Sequence, residues 1–159
     1  MIKNILVSVS GSSDSLMAAK YAICLAKVMQ AKLFAVYVIN VKVLRELLKS
    51  RIFVEAEARA YERDLNDQGT VSLERVKKMA ESKSVVCEIF LQSGAVSDEV
   101  INRVNDLAID ILVMGELKAL TSRSDVFYDE GERILRKAPC PVVMVRNQAM
   151  VEVLYKEMV

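Results

Sequence analysis

The chain has 159 residues and a formal net charge of +1, which fits a single domain and gives no electrostatic reason to expect nucleic acid as a partner. It contains no histidine, which excludes a Ser-His-Asp triad, a Cys-His pair and a His-ligated zinc site, and its three scattered cysteines indicate neither a disulfide framework nor a metal cluster. No apolar run is long enough to span a bilayer and no secretory leader is recognisable, so we expect a soluble cytoplasmic protein with no membrane partner.

The first quarter of the chain predicts two buried strands that flank a helix. Residues 4–9 and 33–39 are apolar, β-branched runs of strand length, and the second is apolar throughout, as expected of a parallel strand covered on both faces. Residues 16–30 carry apolar side chains at the spacing of one helix face. The small polar loop at residues 10–15 can cap this helix and bring its backbone close to a ligand.

The long connection over residues 41–84 predicts two helices. Leu44, Leu47 and Leu48 begin an apolar stripe, and Asn-Asp-Gln-Gly at residues 66–69 indicates a break. A second helix is then expected from Thr70, and three positions on it are predicted to point inward: Leu73, Val76 and Met79-Ala80.

Residues 85–91 and 109–114 predict the third and fourth strands. The helix between them is expected to start at Ser97, because a serine hydroxyl caps free amides and the following Asp98 and Glu99 suit the positive end of the helix dipole.

The end of the chain predicts a helix, a fifth strand and a tail. A helix through residues 132–137 stops before Pro139, and Pro141 opens a strand at residues 142–145, where a missing amide is tolerated. The tail, residues 147–159, fits either a helix or a short strand, and either packs on its own chain or docks on a partner. Five strands with interleaved helices predict an α/β fold, namely a three-layer α/β/α sandwich around a five-stranded parallel sheet.

Several stretches resemble the universal stress protein family. They are Ile5-Leu-Val-Ser-Val-Ser-Gly-Ser, Ala18-Ala-Lys-Tyr-Ala-Ile-Cys-Leu-Ala, Asp110-Ile-Leu-Val-Met-Gly and Arg133-Ile-Leu-Arg-Lys-Ala-Pro-Cys-Pro-Val. The resemblance covers nearly the whole chain and implies a domain over residues 1–146 with a Rossmann-like strand order of 3-2-1-4-5. It also implies that the last strand (Val142, Val143, Met144 and Val145) is an edge that pairs with its copy in a homodimer. A further protein partner is left open.

The phosphate-binding loop departs from the pattern that this resemblance implies. Nucleotide-binding members of the family carry Gly-x-x-Gly, nine residues, and then Gly-Ser or Gly-Thr. Gly115 matches the first glycine, but the second and third fall on Lys118 and Tyr128, and the hydroxyl falls on Asp129. The next hydroxyl of the pattern falls on Gly131. The family's aspartate after the first strand falls on Ser10, at the start of the polar loop.

These departures place carboxylates where a triphosphate would lie. Asp129, Glu130 and Glu132 would repel its charges at close range, although Lys118 and Arg123 would partly compensate. The same acids suit the start of a helix, which is the simpler interpretation. The full candidate nucleotide site comprises Ser10, Gly11, Ser12, Val38, Met114, Gly115, Lys118, Arg123, Tyr128, Asp129, Glu130 and Gly131, with Val38, Met114 and Gly115 matching an adenine-sized slot.

A second, shorter resemblance concerns the loop after the first strand. Ser10-Gly-Ser-Ser-Asp-Ser is similar to the Ser-Gly-Gly-x-Asp-Ser loop of the ATP pyrophosphatases, with Ser12 in place of a glycine. Such a loop would bind pyrophosphate through backbone amides. The alternative is a serine-rich helix cap.

The altered loop on a retained scaffold predicts a non-catalytic regulatory or interaction module, without a cofactor and without ATP in the family's usual pose. The first alternative is a nucleotide sensor that binds ATP or AMP with Mg²⁺ through a remodelled loop. The second alternative is an enzyme of the ATP pyrophosphatase type.

Overall fold

The computed structural model describes residues 1–51, 54–117 and 126–159 and contains one five-stranded sheet between layers of helices. The strands are β1 (Asn4–Val9), β2 (Lys32–Asn40), β3 (Cys87–Gly94), β4 (Ile111–Gly115) and β5 (Val142–Val145). The helices in the described ranges are α1 (Ser13–Met29), α2 (Val41–Lys49), α3 (Glu55–Ser82), α4 (Val96–Asp106), α5 (Val126–Lys137) and α6 (Gln148–Glu157).

The sheet confirms the predicted fold class and strand order. Every strand pair is parallel and the order is β3-β2-β1-β4-β5. β1 lies at the centre, where Val7 pairs with Ala35 of β2 on one side and Val113 of β4 on the other. Successive side chains of β1 point to opposite faces, so Ile5 joins one buried cluster and Leu6 the other.

Each face of the sheet has its own apolar core. The α1 face packs side chains of the sheet against α1, α3 and α6, with Ala22, Leu73 and Val151 almost fully buried. The α4 face packs the sheet against α4 and α5, with Val100 and Ile134 at its centre. The two clusters establish the three layers expected from the sequence.

α3 is one continuous helix, so the predicted break at residues 66–69 is wrong. Gly69 is buried in this helix, and a Cβ added to it would lie 2.7 Å from Leu91 Cδ1 and 2.9 Å from Tyr37 Cδ1. The glycine therefore permits close packing of α3 on β2 and β3 and does not mark a turn. A glycine inside a helix costs about 1 kcal/mol relative to alanine, and burial against the sheet offsets this cost.

The start of α4 also differs from the prediction. The helix begins at Val96 with Ala95 as N-cap and no side-chain cap, so the expectation that Ser97 caps it is wrong. Ser97 is instead buried in the first turn, and its backbone N–H donates to Glu130 Oε2 at 2.7 Å. A carboxylate from α5 thus satisfies one of the free amides at the start of α4.

The third and fourth strands both begin two residues later than predicted, at Cys87 and Ile111. Before β4, the side chain of Asp110 accepts hydrogen bonds from the backbone N–H groups of Lys3 and Asn4 at 2.8 and 3.0 Å. These bonds fasten the start of β4 to the start of β1. They lie at the amino ends of the strands, opposite the carboxyl ends.

The C-terminal tail forms α6 and packs on the α1 face. Val151 is completely buried, and Tyr155 packs against the same cluster with the Lys83 ammonium 4.6 Å from its ring centroid. Glu152 pairs with Lys20 of α1 at 2.5 Å. In the ranges that the structure describes, no helix is long and apolar enough to cross a membrane.

Candidate functional site

A cleft of about 310 Å³ lies at the carboxyl ends of β1 and β4. The chain leaves β1 toward β2 on one side of the sheet centre and returns to β4 on the other, so this is the point where the strand order reverses. Ligands of open parallel sheets bind at this position. The described residues around the cleft include Ser10, Ser12, Asp14, Met114, Gly115, Leu117, Glu130 and Gly131.

The loop after β1 serves as a helix cap. Ser12 is the N-cap of α1, and its Oγ accepts a hydrogen bond from the backbone N–H of Ser15 at 3.1 Å. Ser10 Oγ lies 3.0 Å from Ser12 Oγ, and Gly11 between them has a φ of +82° that favours glycine. The serine-rich sequence therefore has a structural role, and both serine side chains still line the cleft.

Gly115 allows β4 to end against the first turn of α1. A Cβ added to it would lie 2.9 Å from both the backbone carbon and the carbonyl oxygen of Asp14. Backbone atoms at that distance cannot move aside, so this position needs glycine for packing alone. Met114, the preceding residue, is buried in the core of the α4 face and also lines the cleft.

Gly131 lies in α5, where the family pattern has a hydroxyl. A Cβ added there would overlap Leu117 Cδ2, so the leucine side chain occupies the space next to the helix. Leu117 packs against the core of the α4 face. An apolar side chain therefore fills the volume beside the expected hydroxyl position.

Glu130 is the most buried charged group of the cleft. Its side chain is only 5% exposed, yet both of its oxygens have donors. Oε2 accepts from the backbone N–H of Ser97 at 2.7 Å, and Oε1 accepts from Arg133 Nη1 at 2.7 Å. The carboxylate thus lies at the N-terminus of α4, where the helix dipole favours a negative charge.

The described lining of the cleft is acidic. Asp14, Glu116 and Glu130 contribute carboxylates, and among the described lining residues there is no lysine or arginine. Glu116 has a cation nearby, since its Oε1 lies 3.5 Å from Nε of Arg146. Hydroxyl groups from Ser8, Ser10, Ser12 and Ser15 supply the remaining polar surface.

The structure brings together only part of the predicted nucleotide site. Val38 is buried on the α4 face and is not one of the residues that line the cleft. Lys118 and Arg123 lie outside the described residues. Tyr128 and Asp129 belong to α5, but their side chains are outside the described part of the chain.

Two features of the site were not predicted from the sequence. Glu130 was expected to stabilise its own helix or to face phosphate, and its contact with Ser97 joins residues that are 33 positions apart. The one local signal was the spacing of Glu130 and Arg133, which are three residues apart on one helix face. Leu117 beside Gly131 had no recognisable signal.

Cysteine and metal chemistry find no support in the described residues. Burial raises the pKa of the Cys87 thiol to about 12 and also raises the pKa values of Cys24 and Cys140. The reactive thiolate is therefore scarce at neutral pH. In the described part of the chain, no three or more acidic, cysteine or histidine side chains are grouped to hold a metal ion.

Comparisons with known proteins agree with this architecture. A sequence model described as the Universal stress protein family matches residues 1–146. A universal stress protein from Methanocaldococcus jannaschii is 30% identical over 147 residues, which cover 92% of this chain and 84% of that protein.

Two solved structures share the fold at low sequence identity. A universal stress family protein from Burkholderia pseudomallei superposes with a TM-score of 0.69 at 21% identity, covering 91% of this chain and 96% of that one. A universal stress family protein from Arabidopsis thaliana, solved with AMP bound, gives a TM-score of 0.65 at 17% identity, covering 93% of this chain and 94% of that one.

Proposed function

Because the chain belongs to the universal stress protein family, we propose that it is a non-catalytic regulatory module that does not bind ATP in the family's usual pose. The observation that carries the proposal is the buried carboxylate of Glu130 in the cleft at the carboxyl ends of β1 and β4. The Ser97 amide and Arg133 hold this carboxylate in place. In this proposal, a side chain of the protein permanently supplies the negative charge that the N-terminus of α4 favours.

Electrostatics support this conclusion. Like charges about 4 Å apart repel by roughly 1 kcal/mol in water and about 4 kcal/mol at the effective dielectric of a protein surface. Three carboxylates line the described part of the cleft, so a triphosphate bound there would bring its negative charges to an acidic surface. The volume of about 310 Å³ also lies at the lower end of the range for small-molecule sites.

The first experiment is to purify the protein gently, denature it and identify any released small molecule by chromatography and mass spectrometry. A calorimetric titration with magnesium-ATP follows. We expect no stoichiometric adenine nucleotide and no heat of binding. A bound nucleotide or a micromolar ATP affinity would contradict the proposal.

A matched pair of variants tests the role of the buried charge. Glu130→Gln keeps an acceptor for the Ser97 amide but removes the charge, whereas Glu132→Gln makes the same change at a more exposed ion pair with Arg136. We expect ATP binding to emerge only in Glu130→Gln. Equal behaviour of the two variants would show that Glu130 does not exclude the triphosphate.

The second candidate function is a sensor for a nucleotide with a single phosphate. It is favoured by the similar Arabidopsis structure with AMP bound and by Met114 and Gly115, which line this cleft. In this alternative, Lys118 and Arg123 would be the phosphate ligands, and the nucleotide would bind with or without Mg²⁺. Titration with AMP, repeated on Lys118→Ala and Arg123→Ala, tests it; AMP binding that both substitutions abolish would favour the sensor.

A pyrophosphatase-type activity has the weakest support. The loop that resembles those enzymes uses the Ser12 hydroxyl to cap α1, which accounts for its sequence without a phosphate. Formation of AMP and pyrophosphate from ATP would be needed to revive this alternative.

We also propose a homodimer through β5, which is the last strand of the sheet and, among the described strands, pairs only with β4. Pro141 turns its carbonyl toward β4, where it accepts from the Leu112 N–H at 3.0 Å. Alternate residues of a parallel strand face the same neighbour, so the Met144 amide points away from the sheet. Val142, Val143 and Met144 are only partly buried in the single chain.

Size-exclusion chromatography with light scattering tests the dimer. We expect a dimer for the wild type and for Met144→Leu, and a monomer for Met144→Pro, because proline removes the outward amide. A wild-type monomer at micromolar concentration would contradict the proposed interface.

A further inference from the structure

A second cleft, of about 480 Å³, opens on the other side of the loop after β1. Tyr37 of β2 forms its floor and the middle of α3 forms its outer wall, whereas Ser10 lines both clefts. The Tyr37 side chain belongs to the core of the α1 face, while Met114 of the first cleft belongs to the α4 face. The two clefts are therefore separate sites on opposite faces of the sheet.

The Tyr37 ring packs closely against α3 at this floor. Gly69 of α3 lies so close that an added Cβ would be 2.9 Å from the ring, and the side chain is only 9% exposed. The hydroxyl reaches the space below Gly11, where an added Cβ would lie 3.7 Å from Tyr37 Oη and 3.6 Å from Ser72 Oγ. Two hydroxyl groups from different elements thus converge under one loop.

The Tyr37 hydroxyl has no hydrogen-bond partner among the residues that the structure describes. Among the described residues, no buried side-chain nitrogen or oxygen lacks a hydrogen-bond partner, so the Tyr37 hydroxyl is not fully desolvated but opens into the cleft. It is therefore free to bond a water molecule or a ligand there. Burial, together with the neighbouring Tyr61, raises the pKa of Tyr37. The phenol is therefore neutral at physiological pH and can both donate and accept a hydrogen bond.

The chemistry around the hydroxyl selects one class of ligand. Ser10, Ser72 and Gln68 add neutral donors and acceptors, Asp67 adds one carboxylate, and Val71 adds an apolar wall. No lysine or arginine is among the described residues that line this cleft, which disfavours a phosphate group. Hydroxyls, an amide and one acid beside an aromatic ring suit a molecule that carries several hydroxyl groups on a small ring.

We propose that this second cleft binds a small uncharged polyhydroxylated molecule, a monosaccharide or cyclic polyol, with Tyr37 and Ser72 beneath it and Asp67 and Gln68 at the rim. The Asp67 carboxylate accepts hydrogen bonds from ligand hydroxyls, and the Tyr37 hydroxyl bonds a ligand hydroxyl in place of water. This inference does not rest on the function proposed for the first cleft.

The test is an amide NMR titration of the full chain with D-glucose, D-ribose and myo-inositol as probes. Inorganic phosphate and ethanolamine serve as probes for an anion and an ammonium ion. We expect at least one of the polyhydroxylated probes to shift resonances of Gly11, Gln68 and Ser72 in a saturable way. The two charged probes should leave these resonances unchanged.

Tyr37→Phe removes only the hydroxyl, and Tyr21→Phe removes a hydroxyl from α1 outside the cleft as a control. We expect Tyr37→Phe to weaken binding about five- to tenfold, as the loss of one hydrogen bond should, while Tyr21→Phe leaves it unchanged. Thermal unfolding should find Tyr37→Phe about as stable as the wild type, because the hydroxyl has no hydrogen-bond partner among the described residues and opens into the cleft.

Three results would overturn the proposal. They are the absence of binding by all three polyhydroxylated probes, binding that Tyr37→Phe does not weaken, and saturable shifts in this cleft with phosphate or ethanolamine alone. A large loss of stability in Tyr37→Phe would also count against it, since the hydroxyl would then have a partner within the protein.

Discussion

The two clefts share the loop after β1 at the carboxyl end of the sheet, yet the polar groups at their centres differ in how they are satisfied. In the first cleft, the Glu130 carboxylate has the Ser97 amide and the Arg133 guanidinium as partners. In the second, the described residues leave the Tyr37 hydroxyl without a hydrogen bond. In the first cleft, the buried charge is already hydrogen-bonded within the protein. In the second cleft, the Tyr37 hydroxyl is available to hydrogen-bond a ligand. Removing the polar group should therefore destabilise the protein at Glu130 and not at Tyr37.

The largest effect is expected for Glu130→Ala. This change leaves the Ser97 amide unpaired in a buried position and removes the partner of Arg133, so we expect the free energy of unfolding to fall by about 2–4 kcal/mol. Urea denaturation measures it. Glu132→Ala is the matched control, because its ion pair with Arg136 is more exposed and should contribute less than about 1 kcal/mol. Equal losses for both variants would remove the distinction between the buried and the exposed carboxylate.

A smaller effect is expected from adding a methyl group on either side of the first cleft. Gly115→Ala would press on backbone atoms of Asp14, whereas Gly131→Ala would press on the flexible end of Leu117. Overpacking costs about 1–3 kcal/mol, and we expect a loss in this range for Gly115→Ala. In Gly131→Ala the higher helix propensity of alanine, worth about 1 kcal/mol, should offset most of the cost. Thermal unfolding of both variants tests the order. The reverse order would mean that Leu117 is held more rigidly than the start of α1.

The smallest effect is expected far from both clefts, at Asp110. Hydrogen bonds from the Lys3 and Asn4 amides lower the pKa of this carboxyl below its usual value of 3.8. A lowered pKa means that its contribution to stability is present above about pH 4 and is lost as the pH falls through the folded-state pKa. Asp110→Asn should therefore lose stability slightly at pH 6 and less at pH 3, as measured by urea unfolding at both values. An equal loss at both pH values would contradict the assignment.

The strands were predictable from the sequence because their apolar runs are short, β-branched and bounded by polar residues. The strand order came from the resemblance to a family, since periodicity alone does not order parallel strands. Gly69 was misread because glycine usually interrupts a helix, and its contacts with Tyr37 and Leu91 exist only once the sheet has formed. The partner of Glu130 was hidden for the same reason, because local propensity carries no information about an amide on another helix.

The burial of Val151 shows that the packed structure extends beyond the residues that the family model matches. The family match stops at residue 146, yet Val151 is fully inaccessible and Tyr155 packs between α6 and the helices beneath it. A chain that ended at residue 146 would lack the Val151 and Tyr155 side chains and would expose apolar surface of the α1 face to water. We therefore expect the protein truncated after residue 146 to be less stable and more prone to aggregation than the full chain.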